Sequence, residues 1–187
     1  MYEHIKLEEV ADVTKLAGFE FSKYIEYQDK GEIIALRALN IKNNKLDLTD
    51  VKYIDNKTSE KLTRSKLYKN DILLTYTGNG WGDSVKIIEN DKYHLAPNLA
   101  KITPKQINPD FLLNYMQSYG FLKQMENYLV GSSQPTIPMK FIRKIEIPHP
   151  PKDIQNKIGG ILNLISKKIQ INNSINNNLT TSFLFFY

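Results

Sequence analysis

The sequence contains no cysteine, which excludes a disulfide framework and any thiolate metal site. Its three histidines, His4, His94 and His149, are scattered without metal-ligand spacing. No apolar run approaches the length that spans a bilayer, and the N-terminal residues lack the pattern of a signal peptide, so the expectation is a soluble, cytoplasmic protein. The glycines at 78, 80 and 82 do not fall in the G-x-x-x-x-G-K-[ST] spacing of a phosphate loop, and Ser132 and Ser133 lack a nucleophile-elbow context. Asp50-Val51-Lys52 imitates part of a nuclease motif, but its nearest acids, Asp47 and Asp55, share one short strand and turn. Neither the Asn/Asp-Pro-Pro-aromatic motif nor the Gly-rich cofactor turn of a DNA-amine methyltransferase is present. A protein without catalysis is expected, with no cofactor or metal of its own.

At 187 residues the chain suits one domain of ordinary size plus an appendage. A net charge of +5 is modest, but its distribution is uneven. Lys57, Lys61, Arg64, Lys66 and Lys69 fall close together with Glu60 as their one acid, and Lys140, Arg143 and Lys144 form a second cluster. Basic clusters interleaved with aromatics, here eleven Tyr, eight Phe and one Trp, favour a polyanion partner; a solvated face explains any one cluster as well.

The last quarter of the chain organises the rest. Ile145 and Ile147 alternate with charged neighbours as in a half-buried strand, and Pro148, Pro150 and Pro151 then remove the donors that a ladder needs. Pro151 suits the first turn of a helix, and Asp153 complements its dipole. Ile154, Ile158, Ile161, Ile165, Ile175 and Leu179 follow a 4-3-4 rhythm, with Lys168 and Asn172 in the same seam, while Leu162 and Ile169 widen the stripe. About 27 residues at about 1.5 Å each give roughly 40 Å, longer than a small domain needs. The pattern fits an association helix, and also an amphipathic helix packed on its own domain. A buried Asn172 would fix the register of a helix pair. The expected use of Gly159 and Gly160 is close approach of a neighbouring backbone.

Ahead of this helix the pattern is β-rich. Residues 5 to 14 read as a strand or helical turn. Ile33 to Ile41 is a buried strand with a bend near Arg37; Arg37 and Asn40 must each find an internal partner or point at a ligand. Asn43-Asn44 supplies a turn, and Leu46 to Tyr53 is an irregular second strand of a hairpin. Thr58 or Ser59 is expected to cap a short helix held by Leu62 and Leu67. Ile72 to Tyr76 and Val85 to Ile88 flank the loop TGNGWGD, which either lays Trp81 against a nucleic acid or packs it in a tight hairpin. Tyr93 to Ile102 is strand-like and broken at Pro97. Asn108-Pro109-Asp110 opens two helices or one kinked helix, and the polar loop 130–137 leads to a strand at Phe141.

Three segments, GSSQPTIPMKFI (131–142), IEIPHPPKDIQNKIGGIL (145–162) with the Asn-rich helix after it, and KNDILLTYTGNGWGD (69–83), resemble the specificity (S) subunit of type I restriction-modification systems. The resemblance implies an α+β fold: a β-rich target-recognition domain with short helices over residues 1–148, a coiled-coil-type spacer helix over 149–180, and an apolar tail at 181–187. Such subunits usually hold two recognition domains, each reading half of a split DNA target, separated by two long helices that pack together. This sequence shows one domain and one helix, so two copies are expected to pair through Ile154 to Leu179, unless the chain is a fragment that needs another half. Arg37, Asn40, Asn79, Trp81, Asn98 and Gln134 are the candidates for reading bases, and Lys57, Lys61, Arg64, Lys66, Lys69, Lys140, Arg143 and Lys144 for holding phosphates. By the same resemblance the partners are double-stranded DNA, methylation subunits that bind S-adenosylmethionine, and a restriction subunit that uses ATP. A stand-alone DNA-binding regulator, an antagonist of a full-length S subunit, and a protein-interaction module are the other expectations.

Overall fold

A computed structural model describes the backbone of residues 2–184 and the side chains through Asn176. The chain opens on strand β1 (His4–Lys6), one helical turn α1 (Leu7–Val10) and strand β2 (Ala11–Lys15). Helix α2 (Gly18–Tyr24) leads to β3 (Ile33–Leu36), whose run breaks at Arg37 into a 3-10 turn over Ala38–Asn40. A two-residue hairpin follows, β4 (Ile41–Lys42) and β5 (Lys45–Leu46), and β6 (Lys52–Ile54) returns beside β3. Helix α3 (Asn56–Lys61) is capped by Asp55, whose carboxylate accepts the Thr58 N–H at 2.8 Å. This corrects the expected cap at Thr58 or Ser59: Thr58 is the residue being capped, and Ser59 lies buried inside the helix.

Strands β7 (Ile72–Thr75), β8 (Ser84–Lys86), β9 (Tyr93–Leu95) and β10 (Leu99–Pro104) come next. Helix α4 (Pro109–Met116) starts where Asn108 accepts the Phe111 N–H at 2.9 Å, and α5 (Tyr119–Glu126) starts at the Ser118 cap. There are thus two helices, and Gly120 sits within the second. The strand expected at Phe141 is helix α6 (Met139–Arg143), because the Pro138 carbonyl accepts the N–H groups of both Phe141 and Ile142. Strand β11 (Glu146–Pro148) and the long helix α7 (Lys152–Leu184) complete the α+β fold.

An antiparallel sheet in the order β2-β10-β7-β8 forms the centre, and a second sheet in the order β6-β3-β9 lies over one of its faces. Period-2 alternation assigns the two faces. Ile72, Leu74, Ala100 and Ile102 pack with Phe111, Leu112, Met116, Phe121 and Met125 of the helical side. Leu73 and Leu99 point the other way, toward Leu36, Leu67 and Leu95. A sheet covered on both faces reads in sequence as an unbroken apolar run, as Ile72 to Leu74 does.

The chain's first strand closes on its last. β1 pairs antiparallel with β11, Ile5 opposite Ile147 and His4 opposite Pro148, so the segment entering α7 is anchored in a sheet through Pro148, just ahead of Pro150 and Pro151. Gln155 in the first turns of α7 is buried, and Gly159 lies against the N-terminus of α4. Beyond Gly160 the helix leaves the domain: Ile161, Leu162, Leu164, Ile165, Ile169, Ile171 and Ile175 are all exposed. The helix runs past residue 180 to Leu184; the Leu179 side chain and the tail residues 185–187 lie outside the described residues.

Candidate nucleic-acid interface

Four loops meet beyond one end of the central sheet. In the β4–β5 turn Asn43 and Asn44 both adopt positive φ, 51° and 59°, the mirror-image turn that matches strand twist and that Asn tolerates. The Gly-rich loop between β7 and β8 docks on this turn: the Asp83 carboxylate accepts the N–H groups of Asn43 (3.0 Å) and Asn44 (3.2 Å), and Asn44 Oδ1 accepts the Ser84 N–H at 2.9 Å. On its other side the Gly-rich loop holds the 130–137 loop. Gly78 donates its N–H to the Pro135 carbonyl at 2.8 Å, and the hydroxyls of Thr77 and Thr136 share a 2.7 Å hydrogen bond. The β9–β10 turn supplies the fourth piece, with Asn98 at φ 71° after Pro97.

Between these loops lies an open cleft of about 530 Å³, lined by Leu39, Lys42, Asn43, Thr75, Asn79, Asp83, Asn98 and Gln134 among others. It brings together three of the six residues proposed from sequence to read bases: Asn79, Asn98 and Gln134. All three are exposed, and none of their side-chain amides has a protein partner among the described residues. The charges in the cleft are already matched. Lys42 pairs with Asp47 at 2.8 Å, and with Thr49 holds that carboxyl well below the usual carboxylate range; Asp83 is occupied by the two backbone donors.

The other three base candidates serve the fold. Asn40 is fully buried, accepts the Arg37 N–H at 3.0 Å and donates to the carbonyls of Asp47 (3.0 Å) and Asp50 (2.8 Å), so it staples the 3-10 turn to the segment before β6. Arg37 is held by the Asp50 carbonyl at 3.0 Å and carboxylate at 3.1 Å. Trp81 is half-buried and packs with the helical-side core; the next residue, Gly82, has φ 92°, and a Cβ there would meet Leu122 Cδ2 at 2.6 Å. The Trp81 ring is part of the loop's foundation.

The first basic cluster is not brought to the cleft as a unit. Lys66 is buried, with its ammonium on Glu60 (2.6 Å) and Asp91 (2.9 Å), which hold its pKa above the ordinary lysine value. Arg64 pairs with Glu20 at 3.2 Å, and the Lys61 ammonium stands 4.1 Å from the centre of the Tyr24 ring. Arg64 and Lys69 line a different cleft of about 610 Å³, with Lys101, Lys105 and Lys152, at the opposite end of β10 from Asn98. Lys57 is exposed. In the second cluster Arg143 donates to the Val13 carbonyl through Nε (3.2 Å) and Nη2 (2.9 Å), tying α6 to β2. Lys140, 4.8 Å from the Phe141 ring centre, and Lys144 are exposed. Lys42, Asn43 and Asp83 escaped the sequence reading, where Asn43 registered only as turn; the signal available was two consecutive Asn residues facing an Asp in a Gly-rich loop.

On α7, Ile154 and Ile158 are half-buried, Ile158 against the domain core, whereas Ile161, Ile165, Asn172 and Ile175 are exposed. One helix therefore does two jobs: its first two turns pack on the domain and the remainder presents an apolar stripe.

The model of the family described as type I restriction modification DNA specificity domain matches residues 1–181. The chain belongs to that specificity family. It is 30% identical over 168 residues to the type I restriction enzyme EcoBI specificity subunit of Escherichia coli, in an alignment covering 83% of this chain and 34% of that protein. The chain thus spans about a third of the length of this relative. Among solved structures, the type I restriction-modification S subunit from M. genitalium superposes with a TM-score of 0.60 at 12% identity, covering 91% of this chain and 40% of that one. The HsdS subunit from Thermoanaerobacter tengcongensis gives 0.56 at 15% identity, over 91% and 38%. These likenesses show that the specificity-domain fold is shared. Among the described residues no helix is long and apolar enough to cross a membrane.

Proposed function

We propose that this specificity-family chain reads one half of a bipartite DNA target through the amide cleft and pairs with a second copy through α7 to read the other half, without catalysing a reaction itself. The observation that carries the reading is the set of unpartnered amides of Asn79, Asn98 and Gln134 converging in one cleft on backbone held by Asp83, Thr77 and Pro135. An Asn or Gln amide donates and accepts in the pattern that adenine N7 and N6 present in the major groove. With Lys42 and Asp83 already matched, hydrogen bonding rather than charge decides which base fits. Lys140 on α6, the helix that follows the Gln134 loop, and Lys144 at its C-cap are assigned to phosphates, which position the duplex without reading it.

The exposed part of α7 supports the pairing. Leu162, Ile165 and Ile169 continue at 3-4 spacing the row that half-buried Ile158 begins against the domain core, and antiparallel pairing sets Leu162 of one copy against Ile165 of the other, with Ile169 reaching the root of the partner helix at Ile158. Lys152 then lies opposite Ile175 of the other copy, separating the helix roots by about 35 Å at about 1.5 Å per residue, close to the roughly 34–36 Å of one duplex turn. A second row, Ile161, Leu164, Ile171 and Ile175, is left uncovered by that pair. We assign it to the methylation subunits, to which S-adenosylmethionine chemistry belongs; the restriction subunit and its ATP join the same assembly.

Light scattering on the purified chain tests the pairing. The account expects a dimer at micromolar concentration that Leu162→Asp with Ile165→Asp converts to a folded monomer. A native monomer, or a dimer indifferent to those changes, contradicts it.

A further inference from the structure

The root of α7 is fixed by a set of hydrogen bonds that amphipathic packing alone does not require. Gln155 is 1% exposed, and both ends of its amide are used: Oε1 accepts the Asn108 N–H at 2.8 Å, and Nε2 donates to the Pro150 carbonyl at 2.8 Å. Asn108 is at once the N-cap of α4, accepting the Phe111 N–H at 2.9 Å, and a donor through Nδ2 to Asn156 Oδ1 at 2.8 Å. One turn further, a Cβ on Gly159 would stand 2.9 Å from Asn108 Oδ1 and from Phe111 N. The N-terminus of α4 is therefore seated on α7 at Gly159, where a side chain would block it, whereas the neighbouring Gly160, expected from the sequence to serve the same close approach, faces open space. On the other side, His149 donates its N–H to the Glu3 carbonyl at 2.8 Å, which ties the proline segment to the β1–β11 pair. The prolines have fixed φ and little slack. Three anchors in different directions define the angle at which α7 leaves the domain.

We infer that Gln155 is a positioning residue that sets the spacing between the two half-sites by fixing this exit angle. The inference rests on the two-copy reading above. In a pair of copies the reading cleft of each domain is carried at the end of a lever whose pivot is this junction. At a reach of about 30 Å, the diameter of a small domain, a tilt of about 10° shifts the reading face by about 5 Å. One base-pair step is about 3.4 Å, so a loosened junction blurs the spacer by more than a step. Apolar packing around Ile158 is non-directional and would tolerate such a tilt; the doubly engaged Gln155 amide does not, because tilting leaves a buried donor or acceptor unpaired.

The test uses the full chain and duplexes that carry the half-site it selects from a random pool, either once or as two inverted copies whose spacer grows one base pair at a time. For the native chain, affinity peaks at one spacer and falls roughly tenfold two base pairs away, a penalty comparable with that of a mismatched pair. Gln155→Leu fills the same space with neither hydrogen bond. It is expected to bind the single half-site within about twofold of the native chain, while the contrast between spacers falls below about threefold. Gln155→Glu provides the rescue and covers a Leu variant that does not fold. Its carboxylate still accepts from Asn108 N–H but donates to the Pro150 carbonyl only when protonated, so spacer contrast, normalised to the single half-site, returns as pH is lowered. An unchanged spacer profile in both variants overturns the inference, as does a loss of single-site and two-site binding in equal measure. A native chain that binds the single half-site but shows no spacer preference sinks the two-copy reading, and the inference with it.

Discussion

Amides in this protein divide by what they touch. Asn40, Asn44, Asn108 and Gln155 have their side chains engaged with backbone, Asn108 also with Asn156, whereas Asn79, Asn98 and Gln134 have no such partner among the described residues and share a cleft. Removing one of each kind gives different outcomes. Asn40→Ala leaves the part-buried Arg37 N–H and the Asp47 carbonyl without their side-chain partner, while the Asp50 carbonyl keeps the Arg37 guanidinium, and is expected to cost about 2 kcal/mol, read from the urea midpoint, with any DNA effect following from unfolding. Gln134→Ala leaves stability unchanged and relaxes the preference at one base position, whereas Lys140→Ala weakens binding on every sequence and lowers the salt slope by about 1. Equal effects of Gln134→Ala and Lys140→Ala on all sequences would erase the division between reading and positioning. A third residue, His94, sets a pH dependence. It is fully buried in β9, with Nδ1 3.0 Å from the Leu95 carbonyl. Burial chiefly pushes its pKa down, opposed by interactions with the Leu95 and Leu62 backbone; the charges of Lys101, lowering it, and of Glu20, raising it, contribute less. The unfolded chain then takes up a proton near pH 6.5 that the folded chain refuses, so stability is complete above that pH and falls as pH drops toward the lowered folded value, by at most about 1.4 kcal/mol per pH unit for one proton. Urea midpoints between pH 7.5 and 5.5 measure this, and a slope unaltered in His94→Gln would assign it to other groups.

At the scale of elements, the Gly-rich loop shows how much a pattern reveals and where it stops. Flanking strands with continuous apolar character predict a hairpin over β7 and β8, and one is found. What the loop grips was not legible, because the Asn43–Asp83 and Thr77–Thr136 bonds join residues far apart in the chain. Gly82→Ala forces an L side chain to φ 92° against Leu122 and is expected to cost about 1–2 kcal/mol and to displace Asn79. Gly80→Ala, whose Cβ meets nothing closer than 3.8 Å, is the control, and equal destabilisation by the two would remove the argument from backbone geometry. The same limit explains the misread strand at Phe141: alternation and a single helical turn look alike over five residues, and only the carbonyl of Pro138 decides between them. By contrast Asn108-Pro109, a local cap and helix start, was readable without any tertiary knowledge. Ile154 to Ile165 was legible as an apolar seam but not as two surfaces, since the division at Gly159 depends on where α4 arrives.

For the whole molecule, a recognition domain and a projecting helix are joined by a junction that is better ordered than either needs alone. The domain offers three amides that have no partner among the described residues at the loop end of its sheets, and beyond Gly160 the helix offers two apolar rows that no described residue covers. Net charge is only +5, so sequence-independent attraction to DNA is modest, and the proposed function leaves discrimination to the cleft. The most direct test is selection of bound duplexes from a random pool by the purified chain at physiological salt. The account predicts enrichment of two inverted copies of one short, adenine-containing half-site, their centres about 10 base pairs apart, one turn of the duplex. Recovery of unrelated sequences with equal affinity would contradict the claim that this chain reads DNA, and enrichment of a single unrepeated half-site would contradict its pairing through α7.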